Sequence, residues 1–163
     1  MIAASRFQLC LMNGTLHSLA WFALQRNKKE TSPMCRILIV EDQPLIALCL
    51  EEAVIELGYK PAGMAPNKSK ALSLGANADV ALVDVNLLDG PTGPEIGKSL
   101  AENDVSVVFM TANPEQLGSG IPGTLGVISK PLLDIEMVQA IQYAVDRHEN
   151  RIAACPKRMI EFA

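Results

Sequence analysis

The sequence predicts an α/β protein built on a parallel five-stranded sheet, and three observations support this. Five short apolar segments alternate with segments of helical periodicity, a pattern typical of a parallel sheet flanked by helices. Hydrophobic residues make up 49% of the chain and aromatic residues only 4%, which fits the aliphatic strands of a sheet buried on both faces. Polar residues directly follow several apolar segments, at the strand ends where open parallel sheets bind ligands.

The first two strand–helix units are predicted at residues 35–75. Residues 35–40 form a continuous apolar run, as expected of a central strand. Pro44 suits the first position of the helix that follows, and Gly58 suits its end. Residues 60–65 predict a weaker strand because a proline and a glycine interrupt them. Asn67 is a candidate N-cap for the second helix.

The second half of the domain continues the same alternation. We predict a third strand at residues 79–84, a short helix at 93–102, a fourth strand at 105–111, a fifth at 124–129, and a last helix from after Pro131 to about residue 150. Residues 113–123, between the last two strands, contain two prolines and three glycines. Such a composition disfavours a helix, so we expect at most one turn there, and mobility.

Charge divides the chain into three parts. Residues 1–34 carry four basic residues and one acidic residue, whereas the remainder carries ten basic and seventeen acidic residues. We therefore predict an N-terminal extension at 1–34, a domain at 35–150 and a short tail at 151–163. The extension is expected to be poorly ordered or to precede a true start at Met34, and an amphipathic docking helix is the alternative. The net charge of −4 argues against binding to nucleic acid.

The cysteines and the apolar segments indicate a cytoplasmic protein. Cys10, Cys35, Cys49 and Cys155 show no metal-ligand or redox spacing, which favours a reducing compartment. The apolar stretch at residues 16–24 is too short to span a membrane. Its basic residues follow it rather than precede it, unlike those of a signal peptide. We expect no membrane span.

The residues at the predicted strand ends suggest chemistry on a phosphoryl group. Glu41 and Asp42 follow the first strand, Asp84 ends the third, Thr111 ends the fourth and Lys130 follows the fifth. Clustered carboxylates repel one another, and a divalent cation relieves this. Magnesium prefers such oxygen ligands and would neutralise charge on a phosphoryl group. One carboxylate could then act as nucleophile, while an ammonium and a hydroxyl stabilise the transition state.

These residues resemble the motifs of the receiver domain of two-component response regulators, of the single-domain type, across residues 35–150. The matching segments are Ile-Val-Glu-Asp at 39–42, Leu-Val-Asp-Val-Asn at 82–86, Phe-Met-Thr-Ala at 109–112 and Ile-Ser-Lys-Pro at 128–131. The resemblance implies a flavodoxin-like three-layer sandwich with strand order 2-1-3-4-5. The family's fourth helix, between the fourth and fifth strands, is expected to be short or irregular here.

The resemblance also implies roles for the site residues. Asp84 would accept a phosphoryl group from a histidine kinase or a histidine phosphotransfer protein. Asp42, Asp84 and the backbone carbonyl of Asn86 would hold Mg²⁺, with Glu41 acting through a coordinated water. The protein would catalyse its own phosphorylation and dephosphorylation, with no separate output enzyme domain, and a downstream protein would read the change by contact.

The remaining implied roles concern the phosphoryl group and its surroundings. Lys130 would pair with the phosphate and Thr111 would move toward it, and the Lys130–Pro131 peptide would be cis. Asn86 and Asn113 flank the site and are either water-placing residues or turn residues.

On the sequence alone, alternatives to a phosphoryl-accepting receiver remain. Where many receivers carry an aromatic switch, this chain has Val127. That substitution leaves open a receiver-like binding module that acts without phosphorylation. A flavodoxin-like cofactor binder would need a Gly- and hydroxyl-rich loop after the first strand, and this chain has Glu-Asp-Gln-Pro at 41–44. The sequence does not specify the oligomeric state.

Overall fold

The computed structural model describes residues 34–162. In chain order the elements are β1 (Arg36–Val40), α1 (Pro44–Glu56), β2 (Lys60–Ala65), α2 (Lys68–Gly75), β3 (Val80–Val83), α3 (Gly93–Ala101), β4 (Ser106–Thr111), a 3-10 helix (Pro114–Leu117), β5 (Gly126–Ser129), α4 (Asp134–His148) and β6 (Met159–Glu161). The predicted alternation of strands and helices is confirmed.

The strands form one sheet in the order β2-β1-β3-β4-β5-β6. The first five are parallel, so the predicted order 2-1-3-4-5 is confirmed. The sheet has one strand more than we predicted, because β6 pairs antiparallel with β5. The three residues of β6 lie in the predicted C-terminal tail, and so short a segment carries no readable hydropathy period.

Local sequence signals explain several element boundaries. Pro44 begins α1, and Gly58, after its end, adopts a φ of 77°, which glycine tolerates without strain. Asn67 caps α2 by accepting a hydrogen bond from Lys70 N at 3.0 Å. Between β4 and β5 the chain forms only a four-residue 3-10 helix, which agrees with the single turn expected from its glycines and prolines.

The core is aliphatic and lies on both faces of the central strands. All four residues of β3 are buried, as are the last four of β1. Phe109 of β4 is a fully buried aromatic residue in this core. α3 packs closely over it, because Gly97 presents no side chain at that point.

The predicted extension at residues 1–34 lies outside the described residues, except for Met34. Within residues 34–162, no helix combines the length and the apolar character needed to cross a membrane.

Candidate phosphoacceptor site

The strand pairings bring four of the predicted site residues to one edge of the sheet. Val40 pairs with Val83, so Glu41 and Asp84, the next residues of β1 and β3, lie side by side. Thr111 pairs with Ser129, and Lys130 follows directly. Because all four strands are parallel, these carboxyl ends meet at the same edge.

An ion-pair triad forms the centre of the site. Lys130 Nζ donates to Glu41 Oε2 at 2.5 Å and to Asp84 Oδ2 at 2.6 Å. The exposed fractions of the three side chains are 13% for Lys130, 1% for Glu41 and 9% for Asp84. Asp84 is therefore the more exposed carboxylate of this pair.

Backbone contacts fix the position of Asp84. Its amide donates to Val40 O at 2.8 Å, and Asn86 N lies 3.3 Å from its Oδ1. A Cβ on Gly93 would lie 2.2 Å from Asp84 O, so only glycine allows α3 to begin this close to the acidic residue. A lone glycine at a helix start carries no distinctive signal, so this requirement does not show in the sequence.

Thr111 is completely buried. Its Oγ1 accepts a hydrogen bond from Asn113 N at 3.2 Å, and its carbonyl accepts one from Lys130 N at 2.9 Å. The backbone of β4 thus holds the start of the Lys130 segment in register. The Lys130–Pro131 peptide is cis, as the resemblance implied.

The predicted magnesium ligands are all oxygen donors, which is the donor set that Mg²⁺ prefers. Asp42 and Asn86 are half-buried and follow the ends of β1 and β3. The carboxylates of Glu41 and Asp84 point to Lys130. Within residues 34–162, no three carboxylate, histidine or cysteine side chains lie close enough together to hold a metal ion. The donor chemistry fits Mg²⁺. With the ion bound, the carboxylates of Glu41 and Asp84 would have to interact with both the ion and Lys130.

Burial and pairing compete at the triad. Burial raises the pKa of Glu41, and the hydrogen bond from Lys130 offsets this only in part. Burial lowers the pKa of Lys130, but its bonds to Asp84 and Glu41 outweigh that effect and raise it overall. One ammonium serves two carboxylates, so Lys130 stays charged while Glu41 is not fully compensated.

Sequence reasoning missed Arg158. Its guanidinium donates to Ser129 O and to Pro131 O, each at 3.2 Å, so it contacts the carbonyls on both sides of Lys130. No local motif marks an arginine in a C-terminal tail for this position.

Residues 37–142 match the family model of the response regulator receiver domain. The chain belongs to this family. It is 33% identical, over 114 residues, to the phyllosphere-induced regulator PhyR of Methylorubrum extorquens. That similarity covers 67% of this chain and 43% of the relative, so the chain spans less than half the length of the curated relative it matches.

Two solved PhyR structures resemble the fold. The solution structure of the PhyR response regulator REC domain of Erythrobacter litoralis superposes with a TM-score of 0.60 at 28% identity, over 75% of this chain and 97% of that one. The crystal structure of the anti-anti-sigma factor PhyR from Bartonella quintana superposes with a TM-score of 0.59 at 28% identity, over 74% of this chain and 51% of that one. A phosphoryl-accepting signalling role in a two-component system is therefore supported at the level of the family.

Proposed function

We propose that Asp84 is the phosphoacceptor of this receiver domain and takes its phosphoryl group from a histidine kinase or a histidine phosphotransfer protein. The observation that carries the proposal is the 2.6 Å contact between Lys130 Nζ and Asp84 Oδ2 at the carboxyl edge of the sheet. A carboxylate held beside a fixed ammonium has a positive charge ready for the oxygens of an incoming phosphoryl group.

The transfer step balances with the groups present. An Asp84 carboxylate oxygen attacks phosphorus, the P–N bond of the phosphohistidine breaks, and an acyl phosphate forms. The leaving imidazole retains the bonding electron pair and takes a proton from solvent. Lys130 stabilises charge on a phosphoryl oxygen, and Thr111 supplies a hydroxyl at the end of the neighbouring strand.

Bound Mg²⁺ would support this chemistry by neutralising charge on the phosphoryl oxygens. Asp42, Asp84 and the carbonyl of Asn86 are the residues we propose to hold it, with Glu41 acting through a coordinated water. The same edge of the sheet provides all four groups, and each offers oxygen. Asn113 and Asn86 flank the site and are candidates for placing the water that later hydrolyses the acyl phosphate.

The start of α1 supplies a surface for the phosphodonor protein. Leu45 and Leu48 lie within the first two turns of this helix, four and seven residues after Glu41, and are 78% and 47% exposed. Exposed apolar side chains beside a reaction site favour a protein donor. Leu45→Ser should slow transfer from a phosphohistidine protein and leave transfer from acetyl phosphate unchanged. Ile55→Ser, at the far end of the same helix, is the matched control.

The direct test is intact-mass analysis after incubation with acetyl phosphate, with and without Mg²⁺, beside Asp84→Asn. The proposal expects a magnesium-dependent gain of one phosphoryl group that is lost in the variant. If neither acetyl phosphate nor a phosphohistidine protein modifies the chain, and beryllofluoride does not bind, the phosphorylation-independent binding module replaces the proposal.

The output is a protein contact. This chain matches about half of the anti-anti-sigma factor PhyR of Bartonella quintana. Phosphoryl acceptance is the activity that we propose for this shared part. We propose a cytoplasmic protein whose phosphorylated state is read by a downstream protein target.

A further inference from the structure

The C-terminal strand β6 occupies a site on the domain that is shaped to receive it. Its residues Met159–Glu161 pair with Gly126, Val127 and Ile128 of β5. A Cβ at Gly126 would lie 2.3 Å from Ile160 O, so a larger residue there would keep the two strands apart. β5 therefore carries the one residue type that lets the tail backbone approach.

Phe162, which follows β6, extends this contact to the strand that bears Thr111. Its amide donates to Leu125 O at 3.1 Å, and its ring lies 6.5 Å from the ring of Phe109. Gly120 leaves room for this ring, since a Cβ there would lie 2.7 Å from it. Phe109 is two residues before Thr111, so both side chains point to the same face of β4.

Arg158, which precedes β6, contacts the segment that bears Lys130. Its guanidinium donates to Ser129 O and Pro131 O, each at 3.2 Å, and to Glu136 Oε2 at 2.8 Å. The bond to Glu136 anchors the guanidinium on the first turn of α4. The two carbonyl bonds then fix the backbone on both sides of Lys130.

We propose that residues 156–162 form a positioning element for the phosphoacceptor site, and that docking of this element and a phosphoryl group on Asp84 favour one another. Arg158 is the positioning residue for Lys130, and Phe162 supports the strand of Thr111. The inference rests on the proposed function, because Lys130 and Thr111 are the groups that would contact the phosphoryl oxygens.

The tail contacts two site segments that lie on different strands, the end of β5 at Lys130 and the strand β4 that ends at Thr111. A tail that only covered the edge of β5 would need no contact beyond the backbone pairing of β6 with β5. Here Arg158 binds the carbonyls on both sides of Lys130, and Phe162 packs against Phe109, two residues before Thr111 on β4. If the docked tail favours the phosphoryl-binding arrangement, bound phosphoryl must favour the docked tail by the same factor.

Arg158→Gln tests the first half of this linkage, with Lys157→Gln as the control. Lys157 is exposed on the same turn, so both variants lose one positive charge from the same segment. The probe is beryllofluoride with Mg²⁺, titrated by fluorine NMR. We expect Arg158→Gln to raise the Kd by about fivefold, the low end of ordinary coupling between sites, and Lys157→Gln to leave it unchanged.

Hydrogen exchange tests the reciprocal half. The amide of Phe162 donates to Leu125 O, outside the tail, so its exchange reports docking of the tail. We expect beryllofluoride to slow exchange in residues 156–162 of the wild-type protein, and to slow it less in Arg158→Gln. A purely structural contact would give the same exchange with and without the ligand.

The outcomes separate the two proposals. If the wild-type protein binds beryllofluoride and Arg158→Gln binds it with the same Kd, the coupling is refuted and the phosphoacceptor role stands. If beryllofluoride does not change the rate of amide hydrogen exchange in residues 156–162, the coupling is refuted as well. If the wild-type protein neither binds beryllofluoride nor gains a phosphoryl group, both proposals fall.

Discussion

Glu41 is more deeply buried than Lys130, the residue with which it forms an ion pair, with 1% of its side chain exposed against 13%. Lys130 also binds Asp84, so the charge of Glu41 is only partly compensated. The domain therefore retains an electrostatic cost at its own site, and this cost should be measurable as a dependence of stability on pH.

Glu41→Gln should remove this dependence of stability on pH, because the variant lacks the titrating carboxylate. The pKa of Glu41 is raised in the folded protein, mainly by burial, so its protonated form is favoured in the folded state. Its contribution to stability is therefore fully present below the unfolded pKa and is lost as pH rises through the folded pKa. The free energy of unfolding of the variant, relative to wild type, should increase as pH rises from about 4 to 7, across the ordinary pKa of glutamate.

Urea unfolding of both proteins across that range checks the prediction. Glu51→Gln, on the outer part of α1 where the side chain is half-buried, controls for the loss of one negative charge. A difference between Glu41→Gln and wild type that does not change with pH would show that Glu41 is compensated in full.

Lys130→Met should destabilise the domain because it removes the ammonium that pairs with the two buried carboxylates, Glu41 and Asp84. We expect a loss of about 2–3 kcal/mol near neutral pH, slightly below the range for fully buried pairs because part of the lysine side chain is exposed. Without the ammonium, Glu41 takes up a proton more readily, so the loss should shrink as pH falls toward about 5.

Chemical denaturation at the two pH values measures this loss, with Lys157→Met as the exposed control. An equal loss at both pH values would contradict the idea that an uncompensated carboxylate causes it.

The opposite edge of the sheet offers a test with the reverse sign. Asp79 accepts hydrogen bonds from Arg36 N at 2.7 Å, Nε at 3.1 Å and Nη2 at 2.9 Å. The side-chain bond to Arg36 is the main reason why the pKa of Asp79 is lowered. The stability it confers is present above the unfolded pKa and is lost as pH falls through the folded pKa.

Asp79→Asn should cost about 1 kcal/mol near neutral pH, a modest figure because 41% of the Arg36 side chain is exposed and solvent screens the pair. The stability curves of variant and wild type should converge below about pH 3, under the ordinary pKa of aspartate. Asp104→Asn, at an exposed position, removes the same charge without this network. Equal behaviour of the two variants would contradict the prediction.

Most of the domain and the positions of four site residues followed from sequence because the relevant signals are local. An apolar run ends where Glu41 or Asp84 begins, and parallel pairing then brings such ends together without further information. The arrangement within the site did not follow in the same way. Lys130 could have paired with any of three acidic residues, and only the packed backbone selects Glu41 and Asp84.

The C-terminal strand shows the other limit of sequence reasoning. Its three residues have no period to detect, and its pairing depends on Gly126, more than thirty residues away. Similarly, the bonds of Arg158 go to backbone carbonyls, which every residue carries. Contacts of this kind depend on long-range geometry and leave no pattern in the chain.

Gly97 provides the last prediction, which concerns the packing of α3 on β4. A Cβ at this position would lie 2.3 Å from Phe109 Cζ and 2.9 Å from Cε1, and Phe109 is fully buried. Phe162 packs against the Phe109 ring, so a shift of this ring away from α3 would disturb a further contact. Gly97→Ala should therefore destabilise the domain by about 1–3 kcal/mol through overpacking, even though alanine favours a helix by about 1 kcal/mol over glycine.

Ser99→Ala, two residues further along α3 and only half-buried, measures the effect of alanine without the collision. Urea unfolding of the two variants decides the matter: a Gly97→Ala protein as stable as Ser99→Ala would show that α3 can shift away from Phe109 at little cost, and that the ring does not fix the distance of this helix from the sheet.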